Sequence, residues 1–382
     1  MTRRALLVGI DKYGVGDAEE RLESLKAPCS DAFALRDLLR SSIDPQYDWT
    51  DINMLPSENA MTPGVVDVNE SDLLTALQDL FSDHGTRGDD LLFYFAGHGV
   101  VRYGAGVLAT SEGGGIPMTV LLKLVQNAPP SVASITVILD CCTAGMMNDI
   151  AGNAQLPINT SILTASFRSR AAYENSETGE GVFSKMLRDG LSGGAILGVY
   201  GHITVTSLAT FVHERFASEN HGVESQQPTF HAVLTNIPVL RLAHGSLTAQ
   251  DVYELYDHFA TPTTEVWMTH EHERPCPDDE IWEKLKVPPK SRDRDHIPES
   301  MKTPKMLEFD FFQKIQHAGL LRVRDSDQSL FLASGYSRSN RQVSRFSPVC
   351  LTEAGQAMWQ IAKRYRDEQI KNQAARAARM LV

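Results

Sequence analysis

The chain has 382 residues, 42% hydrophobic and 22% charged, which supplies a substantial core and points to two domains. Charge is uneven: residues 301–382 hold 14 Lys/Arg against 7 Asp/Glu, whereas residues 1–300 hold 22 against 41. An acidic body argues against wholesale nucleic-acid binding, and a basic tail leaves an acidic partner open.

Five cysteines, an odd number with Cys141 and Cys142 adjacent, do not read as a disulfide framework. No apolar run is long enough to span a membrane. Thr2-Arg3-Arg4 precedes a short strand-like run rather than a signal sequence. The expected compartment is a reducing cytoplasm, with no membrane partner.

In chain order, Arg4 to Ile10 reads as a buried strand, and Asp31 to Arg40 as a helix with Ala32, Leu35, Leu38 and Leu39 on one face. Asp51 to Leu55 is a weaker strand. Ser71 to Phe81 is a second helix, with Ser71-Asp72 as its expected cap. Asp90 to Ala96 is a continuous apolar strand that stops at Gly97-His98-Gly99. Ile135 to Leu139 is another, stopping at Asp140-Cys141-Cys142, and Met118 to Gln126 is helical between them. Two wholly apolar strands joined through a helix imply a parallel sheet covered on both faces. Ser161 to Phe167 is a further strand; Phe183 to Leu191 and Thr206 to Ala217 are helical.

Residues 257–306 are rich in proline and charge and read as a loose connection. Pattern returns with a helix over Leu307 to Leu320 and two short strands, Leu321 to Val323 and Ser329 to Ala333. A last helix opens at Leu351-Thr352-Glu353-Ala354-Gly355. The expected domains are 1–245, a connection over 246–305, and 306–382.

Functional groups of a parallel sheet collect at the carboxyl ends of its strands, and His98 and Cys142 both follow such ends. Neighbouring strands lie roughly 4.8 Å apart, so the two side chains can converge. A free thiol titrates near ~8.5 and needs a base to become a nucleophile. An imidazole can take that proton and later return it to a leaving amine. Gly99 can present its N–H to a developing oxyanion, with the N–H of Cys142 as second donor.

Gly97-His98-Gly99, and Asp140-Cys141-Cys142-Thr143-Ala144-Gly145 after the next strand, resemble the caspase-like cysteine peptidases. They are nearer to metacaspases and bacterial caspase-like enzymes than to animal caspases. Gly9-Ile10-Asp11-Lys12-Tyr13, Pro28 with Asp31-Ala32, Leu163 to Ser166, Gly181 to Ser184 and Gln226-Gln227-Pro228 fit the same order, over roughly residues 3–242. The resemblance implies an α/β fold, a caspase-like αβα sandwich with a mostly parallel sheet. It implies a nucleophile at Cys142 rather than Cys141, a general acid/base at His98, and cleavage of protein substrates after Arg or Lys. Asp31 and Asp140 match the acidic pocket positions. Asp31 has a competing role near a helix start, where an acid complements the dipole. Many metacaspases use calcium, but apart from Asp140 itself Glu112 is the only acid between His98 and Cys142, and Asp149 stands where one ligand could be. Calcium wants about six to eight oxygens, so no metal and no cofactor is expected. Self-cleavage is also implied, with Arg168, Arg170, Arg188, Arg292 and Arg294 as exposed sites.

Cys141 is expected to be structural, and His270, His272 and Cys276, whose spacing fits no usual zinc pattern, to lie in a solvated loop. Residues 306–365 resemble a winged helix in outline, an α+β module expected to meet an activating ligand or protein partner ahead of nucleic acid. The leading expectation is a regulated effector protease, of the kind bacteria use in defence or cell death. The alternative is a catalytically silent adaptor or DNA-binding regulator that uses the caspase-like fold as a scaffold.

Overall fold

The computed structural model describes residues 2–14, 22–56, 68–82, 88–165, 181–196, 201–218, 228–243, 247–268, 272, 300, 302–324 and 348–380. Its described residues divide into two compact units, Met1–Ala243 and His244–Val382.

The first unit begins with β1 (Arg3–Gly9), α1 (Pro28–Leu39), β2 (Asp51–Leu55), α2 (Glu70–Leu80) and β3 (Asp90–Ala96). A small antiparallel sheet follows, made of β4 (Gly99–Arg102), β5 (Ala105–Ala109) and β6 (Gly115–Pro117). Then come α3 (Met118–Gln126), β7 (Ser134–Asp140), α4 (Gly145–Gly152), β8 (Thr160–Thr164), α5 (Val182–Asp189), β9 (His202–Thr204), α6 (Val205–Ser218), β10 (Thr229–Val233) and β11 (Val239–Leu242).

β1, β3 and β7 are buried along their whole length, as strands covered on both faces must be. They form the middle of a six-stranded sheet ordered β10-β8-β7-β3-β1-β2. Every neighbouring pair is parallel except β10 with β8. Alternate side chains enter opposite layers, as the pleat requires. Leu6, Val8, Phe93, Phe95, Val137 and Leu139 pack with α2, α3 and α4. Ala5, Leu7, Leu92, Tyr94 and Ile138 pack with α1, α5 and α6. The expected αβα sandwich is what forms.

Three local expectations change. The cap of α2 is Asn69, whose side chain accepts the Asp72 N–H at 2.7 Å, so the helix starts before Ser71. The crossover between β3 and β7 carries β4, β5 and β6 as well as a helix; these short segments lack the long apolar pattern that marks a central strand. β8 ends at Thr164.

The second unit contains α7 (Ala249–His258), β12 (Val266–Trp267), α8 (Pro304–His317), β13 (Leu321–Val323), β14 (Pro348–Leu351) and α9 (Glu353–Met380). The start of the expected irregular connection is therefore a helix. A full capping box between Thr248 and Asp251 fixes α7, and α7 packs on α9 through stacked Tyr253 and Tyr365. β13 forms where expected, but its partner is β14, in a sheet ordered β12-β14-β13. The predicted strand at 329–333 lies outside the described residues. α9 opens at Glu353, with the hydroxyl of Thr352 accepting the Gly355 N–H at 3.1 Å.

Candidate active site

β3 and β7 run parallel with Ala96 opposite Asp140, so His98 and Cys142 each stand two residues past paired ends. The two turns touch: a Cβ on Gly99 would lie 1.9 Å from the carbonyl oxygen of Cys142. Glycine at 99 is therefore demanded by the close approach of two backbones, a reason the sequence did not disclose. Ala109 donates to the His98 carbonyl across the hairpin, and Gly99 is opposite Leu108. Gly99 is thus a non-hydrogen-bonded ladder position, with its N–H turned out of the hairpin.

Past β7 the chain turns sharply into α4. Thr143 adopts φ +61°, a left-handed conformation costly for a β-branched residue. That turn separates the adjacent thiols. Cys141 is fully buried in the core, where burial pushes its thiol well up. Cys142 lines a surface pocket together with His98.

His98 is held from three sides. Its backbone N–H donates to the Tyr13 hydroxyl at 2.7 Å, and its ring meets the Tyr13 ring edge-on at 4.6 Å. Its Nε2 lies 2.8 Å from the carbonyl oxygen of Glu23. A carbonyl can only accept, so Nε2 carries the proton there and the neutral ring presents Nδ1 as its basic nitrogen. Burial raises the Tyr13 hydroxyl far above its ordinary range, which keeps it protonated.

The acidic wall is built from the start of α1. A Cβ on Gly9 would lie 2.2 Å from the Pro28 carbonyl, so the end of β1 and the start of α1 pack backbone to backbone. Asp11 Oδ1 accepts the Cys29 N–H at 2.9 Å. This docking puts Asp31 in the first helical turn, 3% exposed and lining the same pocket as Asp140, the last residue of β7. The helix starts at Pro28, three residues before the expected Asp31, and Asp31 is both the acid of its first turn and a residue lining the pocket.

The pocket, of about 60 Å³, is lined by His98, Cys142, Asp31 and Asp140 among others, and Gly181 lies close to both acids. That is room for a few waters, hence for a slender side chain.

α5 contacts both carboxylates. Gly181 N–H donates to Asp31 Oδ2 at 3.2 Å, Ser184 Oγ donates to Asp140 Oδ2 at 2.5 Å, and Arg188 pairs with Asp31. Tyr94 shares a 2.6 Å hydrogen bond with Ser184. Arg188 was expected as an exposed cleavage site; instead its side chain is only 16% exposed and ion-paired. Helical pattern alone cannot tell a solvated arginine from one aimed at a buried acid. Arg168, Arg170, Arg292 and Arg294 lie outside the described residues.

Tyr13, Gly181 and Ser184 were part of the recognised motifs, without roles. The Glu23 carbonyl carried no signal, because a backbone acceptor in an unpatterned loop is invisible in side-chain chemistry.

Among the described residues no cluster of three or more His, Cys, Asp or Glu is arranged to hold a metal. His272 departs from its expected solvated loop: it is 3% exposed, with Nε2 3.1 Å from Glu308, which also accepts from His258 Nδ1 at 3.0 Å. His270 and Cys276 lie outside the described residues. No described helix is long and apolar enough to cross a membrane.

A family model described as the caspase domain matches residues 2–237, and the chain belongs to that family. Among solved structures it is similar to caspase-1 from Spodoptera frugiperda, at 15% identity and TM-score 0.45 over 64% of this chain and 92% of that one. It is also similar to a protein of Geobacter sulfurreducens, at 15% identity and TM-score 0.44 over 65% of this chain and all of that one. No curated protein is similar enough in sequence to count as a relative. At the level of the family, the fold is that of a cysteine-type peptidase.

Proposed function

We propose that the chain is an endopeptidase that cleaves proteins after Arg or Lys through a Cys142–His98 dyad. The observation that carries this reading is the single pocket lined by His98, Cys142, Asp31 and Asp140. Nδ1 of His98 takes the thiol proton, while the Glu23 carbonyl holds the imidazolium that forms. Cys142 attacks the scissile carbonyl, and His98 returns the proton to the departing amine. The N–H groups of Gly99 and Cys142 receive the oxyanion. Asp31 and Asp140 take the basic side chain that precedes the cut, and penalise an acidic one by leaving like charges together.

The second unit, with three antiparallel strands between helices, is in this reading a winged-helix-like domain that meets an activating ligand or protein partner. The odd cysteine count favours a cytoplasmic setting. A regulated effector role follows from the pairing of a peptidase with such a module.

The test is cleavage of fluorogenic peptides ending in Arg, Lys or Asp by the full chain and by Cys142→Ala. Cleavage after Arg or Lys that disappears in the variant supports the dyad and the acidic pocket together. Cleavage after Asp keeps the peptidase and removes the pocket assignment. A wild type that neither cleaves peptides nor reacts at Cys142 with an alkylating peptide probe favours the scaffold.

A further inference from the structure

β4 begins directly after His98 and lies at one end of the small sheet ordered β4-β5-β6. Gly99 pairs with Leu108 and Val101 with Gly106. The Ala109 N–H bonds the His98 carbonyl one step earlier, so the alternation of an antiparallel ladder makes 99 and 101 its non-hydrogen-bonded positions. The N–H and C=O groups of both residues therefore face away from β5, along the outer edge of the sheet. Among the described residues no further strand pairs with that edge, and no other segment bonds the Val101 backbone.

The pleat puts the Val101 side chain on the face where a Cβ on Gly99 would meet the Cys142 carbonyl. Val101 is 48% exposed. Its cross-strand partner Gly106 shares that face, and a Cβ there would lie 2.6 Å from Met118 Sδ and 3.4 Å from Met146 Cβ. Met146 is half-buried in the first turn of α4, four residues past Cys142. The same face beside the nucleophile thus carries Val101 and Met146, with no side chain on Gly106. The hairpin tip adds Tyr103, fully exposed at φ +51° ahead of Gly104 at +77°. A turn with two such residues favours Asn, Asp or Gly, and a bulky side chain there is strained. Neither the turn nor packing calls for a tyrosine.

In the dyad reading, the residue before the cut is committed to the pocket lined by Pro28 and Asp31 of α1 and by Gly181. Gly99 holds its carbonyl, and His98 serves the departing amine. The chain beyond the cut then continues past His98, which is where β4 leads. We infer that the edge of β4 binds the leaving-group side of the substrate as an added parallel strand, and that Val101 with Met146 selects an apolar side chain at the third residue after the cut. The inference rests on the reading of His98 and Cys142 as the dyad. Both strands advance about 3.3 Å per residue, so with the first residue beside Gly99 the third lies beside Val101 and the fifth beside Tyr103. In that register the Val101 N–H donates to the carbonyl of the second residue, and the Val101 carbonyl accepts the N–H of the fourth. Main-chain bonds supply affinity and alternate side chains supply specificity.

The experiment reads binding without turnover, in the full chain carrying Cys142→Ala. A fluorescent peptide with Arg before the cut and five residues after it carries Leu or Ser at the third of them, and its affinity is measured by anisotropy. The Leu peptide is expected to bind about tenfold more tightly, as partial burial of a leucine side chain provides. Val101→Ser in the same background is expected to bring the two peptides within about twofold of each other. N-methylation of the fourth residue removes the N–H that faces Val101 and is expected to weaken the Leu peptide about fivefold; N-methylation of the third, whose N–H faces away, changes it by less than about twofold.

Equal binding of the Leu and Ser peptides, discrimination that survives Val101→Ser, or equal effects of the two N-methyl groups overturns the inference. Cleavage by the Cys142 protein decides the dyad separately. Cutting after Arg with no preference at the third position keeps the dyad and removes the subsite, whereas the expected binding with no cleavage of any peptide keeps the subsite and removes the peptidase.

Discussion

The two adjacent cysteines differ in everything but chemistry. Cys141 faces the core with its thiol raised well above the ordinary range, and Cys142 faces a pocket beside His98. Alkylation at neutral pH is therefore expected at Cys142 well before Cys141, as read by mass spectrometry of timed samples; equal rates would contradict the assignment of nucleophile. Tyr13 positions His98 through its hydroxyl. Tyr13→Phe removes the acceptor of a partly buried N–H, a loss of about 1–3 kcal/mol. Kcat is expected to fall about tenfold, equivalent to about 1.4 kcal/mol in the barrier, with KM little changed; an unaltered kcat would show that Tyr13 only packs. Gly99→Ala drives a methyl group into the Cys142 carbonyl. It should cost about 1–3 kcal/mol by overpacking, together with loss of probe labelling at Cys142, measured by thermal melting and labelling side by side.

At the scale of elements, the site exists because helices are fastened to strand ends. α1 is docked by Gly9 and Asp11, and α5 brings one face to the acids. In the second unit, Glu308 on α8 links His258 of α7 to His272. The two histidine hydrogen bonds hold its carboxyl down at about 2, against burial. A carboxyl depressed in the folded state contributes stability that is fully present above its unfolded value of 4.5 and is lost as pH falls through about 2. Glu308→Gln should accordingly destabilise the second unit at neutral pH by about 1.5–3 kcal/mol, the range for hydrogen bonds to a charged group. The difference from wild type should shrink below about pH 4, as the unfolded carboxyl takes up a proton that the native one does not bind until about 2. Denaturant melts at pH 7 and pH 3, followed by the fluorescence of Trp359, whose ring nitrogen bonds the Phe259 carbonyl, would reveal a constant difference if the cluster were inert.

For the whole molecule, the expectation of no calcium requirement comes from the scarcity of acids between His98 and Cys142. Peptide cleavage should change by less than about twofold on chelation; abolition by chelator and recovery with calcium would mean a site with the six to eight oxygens that calcium needs. The apolar runs at 90–96 and 135–139 were legible as central strands, and with them the parallel sheet and the convergence of His98 with Cys142 at its carboxyl edge, because burial on both faces leaves a local signature in composition. Asp31 was legible in two ways, as a match to an acidic pocket position and as an acid near a helix start, and the sequence did not choose between them. The β4–β6 sheet, the helix at 249–258 and the burial of Arg188 and His272 were not legible, since short strands and amphipathic polar residues look alike whether solvated or paired. By itself the sequence determined the caspase-like sandwich and the two residues of the candidate dyad, because hydrophobic pattern and motif order are local properties. Only the tertiary structure decided which ring nitrogen of His98 meets the Glu23 carbonyl, why position 99 is glycine, and that Asp31 is paired with Arg188. Those depend on contacts between segments as far apart as residues 31 and 188, and such contacts are settled by packing, not by the composition of either segment.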